Sequence, residues 1–267
     1  MKTIIAATDF SPSSINACKY AALLAQKLNC NLTLFNMFET PFIHSNVGLY
    51  GLSYTSVRKN SRHETQKLIT ELSKLFPELK INHFITTGSF KNELESFTEA
   101  HQVEAAVMGL ETKNKFSKFI YGSHGVNIAG KINAPVIIVP QNYKKHKLAK
   151  VLLAVDNNEK LLKSSLLGFE KFIALSKTKL KLLHVRTEPE IFIPVTTFLK
   201  INGERLPIEI IKAKAIETGI KKYLEDSDFD LICIISKKHS AFYNLFLESN
   251  TKKIAFSAKV PVMAIHE

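Results

Sequence analysis

The residues best suited to chemistry lie between positions 109 and 124. Gly109, Thr112, Gly122 and Ser123 follow the spacing G-x2-T-x9-G-S, with His124 next in line. Gly109 ends the apolar run AAVMG, and Gly122-Ser123 opens a helix-like segment near Ser123–Lys131. Glycine lets backbone N–H groups approach a ligand closely, and a helix N-terminus favours an anion. The Ser123 hydroxyl suits a phosphate oxygen, and Lys113, Lys115 and Lys118 add positive charge to the same loop. The same residues also suit a turn glycine and an N-cap serine, and spacing alone leaves both readings open. Asp9, which ends the run KTIIAATD, is the second candidate. It suits a ribose hydroxyl or a metal near phosphates, and equally the positive end of a helix dipole.

Other chemistries lack their residues. The nine histidines show no HxxxH or HExxH spacing, so a metal enzyme is not expected. No GxSxG elbow, no Walker A lysine and no SGGxDS loop occurs, and Ser123 has no identifiable base. Cys18, Cys30 and Cys233 lack CxxC spacing and read as reduced thiols of a cytoplasmic protein.

Positioning these residues requires a particular alternation of elements. Lys2–Asp9 reads as a buried strand. Ser13–Leu28 carries Ala17, Ala21, Leu24 and Leu28 at helical spacing after the start signal Ser11-Pro12-Ser13. Asn31–Phe38 reads as a strand, Glu39–Thr55 as an irregular connection containing Gly48 and Gly51, and Val57–Phe76 as a helix. Ile81–Thr87, Ala105–Gly109 and Pro135–Pro140 read as strands, and Lys91–His101 as a helix. Strands that are apolar without alternation, separated by helices, predict a parallel sheet covered on both faces.

The pattern then restarts. VLLAVD at Val151–Asp156 echoes IIAATD, Asn158–Ser176 echoes the first helix, and KLLHV echoes the second strand, with His184 in the place of Asn36. Ile208–Ala213, Ala215–Glu225, Asp230–Ser236 and Val260–Ile265 complete the second series. The offset between copies falls from 147 residues at Asp9 and Asp156 to 126 at Pro135 and Pro261, and the shortfall lies in Arg186–Arg205. Such self-similarity predicts two units, 1–142 and 149–267, joined by the polar, Lys-rich segment Gln141–Ala149.

In an open parallel sheet, ligands bind beyond the carboxyl ends of the strands where the strand order reverses. That places Thr8-Asp9, Asn36-Met37, Thr87-Gly88 and Met108-Gly109 at the expected site. With these residues the chain resembles the universal stress proteins. The resemblance runs through IIAATDFSPSS, TTGSF, VMGLETKNKFSKFIYGSHG and APVIIVP, and covers nearly the whole chain as a tandem. Nucleotide-binding members carry G-x2-G-x9-G-[S/T] between the fourth strand and fourth helix.

The resemblance implies an α/β, Rossmann-like architecture of two doubly wound five-stranded sheets, each in the order 3-2-1-4-5. It implies ATP or AMP as ligand, with magnesium or manganese accompanying the phosphates. Asp9 would lie near the ribose or phosphates, Met37 would line the adenine pocket, and Gly109 would sit beside the ribose. Gly122, Ser123 and His124 would face the phosphates. Thr112 departs from the pattern, standing where the family has its second glycine. A β-branched residue fits positive φ poorly, whereas its hydroxyl suits a phosphate. In the second unit Asp156 survives, but the aligned loop has no glycine and Glu248 stands where Gly122 would. Seven of the ten glycines precede residue 149, so nucleotide is expected at the first unit only.

The expected role is a stress-response protein with no strong catalysis. The alternative is a nucleotide-free interaction module with two degenerate sites. Net charge is +12, divided as +7 for residues 1–148 and +5 beyond, with no basic tail, which argues against a nucleic-acid partner. No apolar run approaches the roughly 18–20 residues that span a bilayer, so no membrane partner is expected, and nothing suggests export. The apolar closing strands of the two units predict an internal pseudo-twofold pairing, with further homodimerisation open.

Overall fold

A computed structural model describes residues 2–38, 47–110, 132, 134–155, 159–187, 197–236 and 259–266. The first strand, β1 (Thr3–Thr8), is buried at every position. Ile4 and Ala6 enter one apolar core, Ile5 and Ala7 the other, which is why the run shows no polar alternation. Helix α1 (Pro12–Lys27) begins at the N-cap Ser11, whose side chain accepts from the Ser14 amide, with Pro12 at the first helical position. Then follow β2 (Asn31–Met37), α2 (Val47–Leu75), β3 (Ile81–Thr86), α3 (Phe90–Ala100), β4 (Val103–Leu110) and β5 (Val136–Pro140). The second series is β6 (Lys150–Ala154), α4 (Glu159–Ser176), β7 (Lys179–Arg186), β8 (Phe198–Ile201), β9 (Glu204–Lys212), α5 (Ile216–Glu225), β10 (Leu231–Ser236) and β11 (Val262–His266).

The strands form one eleven-stranded sheet in the order β3-β2-β1-β4-β5-β11-β10-β6-β7-β9-β8. Within each series the expected 3-2-1-4-5 order and parallel pairing hold. The two series meet at β5 and β11, which pair antiparallel with Val262 opposite Ile138 and Ala264 opposite Val136. Antiparallel contact between equivalent strands is what a local twofold produces, and it covers both apolar edges.

The cores flank this sheet. Residues of α1, α2 and α4, among them Tyr20, Leu24, Leu72 and Phe169, fill one face. On the other, α3 presents Phe90, Leu94 and Phe97 at helical spacing. Phe35 and Phe84 meet this row, with ring centroids 5.0–5.8 Å apart. Two departures from the expected elements are informative. Helix α2 starts at Val47, ten residues earlier than expected, running through Gly48 and Gly51. Each glycine costs a helix about 1 kcal/mol, which tertiary contact readily offsets. Tyr54, in the stretch expected to be irregular, packs on Phe38 at 5.6 Å.

The second departure is an added strand. In the second series an extra strand, β8, precedes the third strand, β9, and pairs with it antiparallel, so that half of the sheet has six strands rather than five. Ile201 pairs with Glu204 across the two-residue turn Asn202-Gly203, whose φ values are 50° and 85°. Asn-Gly with both residues at positive φ is the preferred type I′ turn. The turn docks on α4: the Asn202 amide N–H donates to a Glu170 carboxylate oxygen, and Asn202 Nδ2 to the Glu170 carbonyl.

The connection at Gln141–Ala149 is packed rather than loose. Tyr143 is buried, stands edge-on to Tyr20, and donates to the carbonyls of Lys147 and Asp230. Asn16 Nδ2 donates to the carbonyls of Pro140 and Tyr143. The fully buried Asp230 carboxylate accepts from the amides of Ala149 and Lys150.

Candidate functional site

The carboxyl ends of β2, β1 and β4 lie side by side at the point where the sheet reverses winding. Thr8 pairs with Asn36 in the register of β1 and β2. On the other side Ala6 pairs with Val107, so Thr8 and Gly109 stand two residues beyond that pair. Met37 and Asp9 occupy the following row. The structure thus brings Thr8, Asp9, Met37, Met108 and Gly109 to one edge. Thr112, Gly122, Ser123 and His124 lie outside the described residues, as do Asp156, Glu248 and the helix expected near Ser123–Lys131.

Each residue at this edge is held by its own chemistry. Thr8 is fully buried; its hydroxyl shares a hydrogen bond with Ser14 Oγ at 3.1 Å and accepts from the Phe10 amide at 3.0 Å. Phe10 takes φ 64°, which turns the chain sharply between β1 and α1. Asp9 Oδ1 accepts from the Ser11 amide at 3.0 Å, fixing the carboxylate at the head of α1. Its Oδ2 has no hydrogen-bond partner among the described residues. Asn36 Nδ2 donates to the Thr8 carbonyl at 2.8 Å, while the buried Oδ1 has no partner among the described residues. The Asn36 contact is not read from the sequence, although its place beside Met37 at a strand end is the available signal.

Gly109 has a structural duty that its spacing did not disclose. A Cβ there would stand 2.4 Å from the Ser13 carbonyl oxygen and 2.7 Å from the Ser14 nitrogen. The glycine lets the first turn of α1 rest directly on β4. Met108 is fully buried in the opposite core, so only its backbone faces the edge. Burial pushes the Cys18 thiol up to about 12, with Asp9 adding to the rise and a hydrogen bond with Thr8 opposing it. A thiol so raised is no nucleophile at neutral pH. Among the described residues no group of three or more His, Cys, Asp or Glu side chains could hold a metal.

The corresponding edge of the second series repeats the scaffold with different residues. His184 Nδ1 donates to the Val155 carbonyl at 3.0 Å, the same bond that Asn36 makes to Thr8. His184 is therefore a buried strand-end residue, as its alignment with Asn36 predicts. In the register of β6 and β10, Leu153 pairs with Cys233, which puts Ile235 in the place of Gly109.

The comparisons with known proteins agree with this geometry. The model of the universal stress protein family matches residues 1–140 and 195–266. Universal stress protein Slr1230 of Synechocystis sp. is 25% identical over 300 residues, covering 98% of this chain and 99% of its own. A universal stress protein from Archaeoglobus fulgidus superposes with a TM-score of 0.71 at 16% identity, covering 98% of this chain and 97% of that one. A putative universal stress protein from Pseudomonas aeruginosa gives 0.58 at 10% identity, covering 99% and 92%. Similarity of this kind to the two solved structures shows the fold, and the family model matches most of the sequence: the chain belongs to the universal stress protein family.

Proposed function

We propose that the protein binds ATP or AMP at the carboxyl edge of the first series and acts in a stress response through its bound state, without strong catalysis. The observation that carries this reading is the convergence of Thr8, Asp9, Met37 and Gly109 on adjacent strand ends at the reversal of winding. Asp9 Oδ2 serves a ribose hydroxyl, and Met37 borders the base. Thr112, Gly122, Ser123 and His124 bring amide and hydroxyl donors to the phosphates. Magnesium or manganese arriving with the phosphates draws most of its ligands from them and from water, and Asp9 is a suitable oxygen donor. We read residues 1–142 and 149–267 as the two units, the second binding no nucleotide and serving as structural partner. A cytoplasmic setting accords with three buried, free cysteines and with the lack of any membrane-length apolar helix among the described residues.

One observation favours a second reading, a nucleotide-free interaction module. Gly109 is required by packing against α1, so its presence needs no ligand. Mass spectrometry of the supernatant from denatured protein separates the two. Stoichiometric ATP or AMP, lost in a Gly122→Glu variant, is the expected result. An empty protein that also fails to bind added ATP with magnesium would leave the interaction module.

A further inference from the structure

A cavity of about 310 Å³ lies at the opposite end of the strands, in the second half of the sheet. Its lining includes Lys150, Lys179, Lys181, Ser227, Asp228 and Phe229. Lys150 and Lys179 are register partners on the parallel strands β6 and β7, so their side chains leave the sheet side by side on one face. Like charges directly opposite one another destabilise a sheet unless something compensates them.

The neighbouring carboxylates are already engaged. Asp228 holds Lys145 and Lys147. Asp230 takes the amides of Ala149 and Lys150, with Lys147 at 3.5 Å. Glu209 accepts from Lys181 at 3.1 Å and from the Tyr223 hydroxyl at 2.6 Å. The ammonium groups of Lys150 and Lys179 have no ion pair among the described residues. Beside these two exposed lysines stands an apolar wall, the buried Phe229 stacked on Tyr223. The equivalent pair in the first series is neutral and self-satisfied: Thr3 Oγ1 donates to the Asn31 carbonyl at 3.2 Å.

We propose that this cavity binds the phosphoryl group of a small metabolite, held by Lys150 and Lys179 with the Ser227 hydroxyl as third donor. Two adjacent ammonium groups match a dianion, and lysine serves phosphate as a point charge. The volume suits a compact ligand, at the lower end of the roughly 300–1,000 Å³ of small-molecule sites. The proposal does not rest on nucleotide binding at the other edge.

Inorganic pyrophosphate is the probe. Calorimetric titration of the full-chain Gly122→Glu variant at low salt, with the nucleotide edge blocked, should give one site, which the same variant carrying the lysine substitutions below should lack. In that background K150Q/K179Q, with an unchanged melting temperature, should weaken binding at least tenfold. Pyrophosphate should also slow acetylation of Lys150 and Lys179 in the native protein while leaving the exposed Lys67 unaffected. This second measurement decides the matter if the double variant does not fold. Absence of binding by Gly122→Glu at millimolar pyrophosphate, equal binding once K150Q/K179Q is added, or unslowed acetylation of the two lysines would each overturn the proposal.

Discussion

The two series share a scaffold and differ in what borders it. In both, a side chain from the second strand donates to a carbonyl at the carboxyl end of the central strand: Asn36 to Thr8, His184 to Val155 just past β6. Around that constant bond the elements diverge. A 29-residue helix, α2, leads into the third strand of the first series, whereas an added strand and an Asn-Gly turn lead into the third strand of the second. Gly109 admits the first turn of α1 onto β4, whereas the second series has Ile235 at the matching position. The hydrogen-bonded framework of a doubly wound sheet therefore tolerates the addition of a whole edge strand. Close approach at one strand end depends on a single missing side chain.

The contrast predicts effects of graded size. Asp230 serves the second series alone; its counterpart by register is Glu104, which in the first series is half-buried and pairs with Lys2 and Lys171 at the surface. Asp230→Ala removes a fully buried carboxylate that accepts from two backbone amides and should lower unfolding free energy by about 3 kcal/mol. Glu104→Ala removes only partly exposed ion pairs and should cost no more than about 1 kcal/mol, both read by urea denaturation. Equal losses would break the distinction between a buried latch and a surface ion pair at the strand start. Gly109→Ala forces a methyl group against helix backbone and should cost about 2 kcal/mol, whether or not nucleotide is present. The control is Gly168→Ala in α4, where a Cβ meets nothing within 4 Å; it should stabilise by about 0.5–1 kcal/mol. The smallest effect tests the hairpin. Gly203 sits at φ 85°, so Gly203→Ala should cost about 1 kcal/mol in thermal melts. No cost would mean that the turn is not the type I′ form.

Much of this architecture was legible in residues. The unalternating apolar runs specified buried parallel strands, and the two closing strands, apolar and otherwise exposed, anticipated their mutual pairing. The added strand β8 shows in the sequence only as a shortfall in length before the third strand. The Asn202-Gly203 signal between FLKI and ERLPIEI was present, but Pro207 and the charged residues blurred the strand pattern around it. The early start of α2 was hidden because glycine content speaks to local preference, while the helix answers to packing such as Tyr54 on Phe38. At the candidate site, sequence identified the strand-end residues but not their restraints. The clash that makes Gly109 necessary involves Ser13, almost a hundred residues away, and no local pattern reports such a contact.

The antiparallel join of β5 to β11 has a consequence for how such a molecule changes over generations. In a dimer of identical chains, every substitution appears twice, so the two binding edges must keep or lose their ligand together. Joining both copies in one polypeptide frees them from that constraint. Tethering through Gln141–Ala149 keeps the partner strand at high effective concentration, so a damaged copy is not lost by dissociation. One copy can then give up its glycines and acquire a row of lysines while still closing the other's exposed edge.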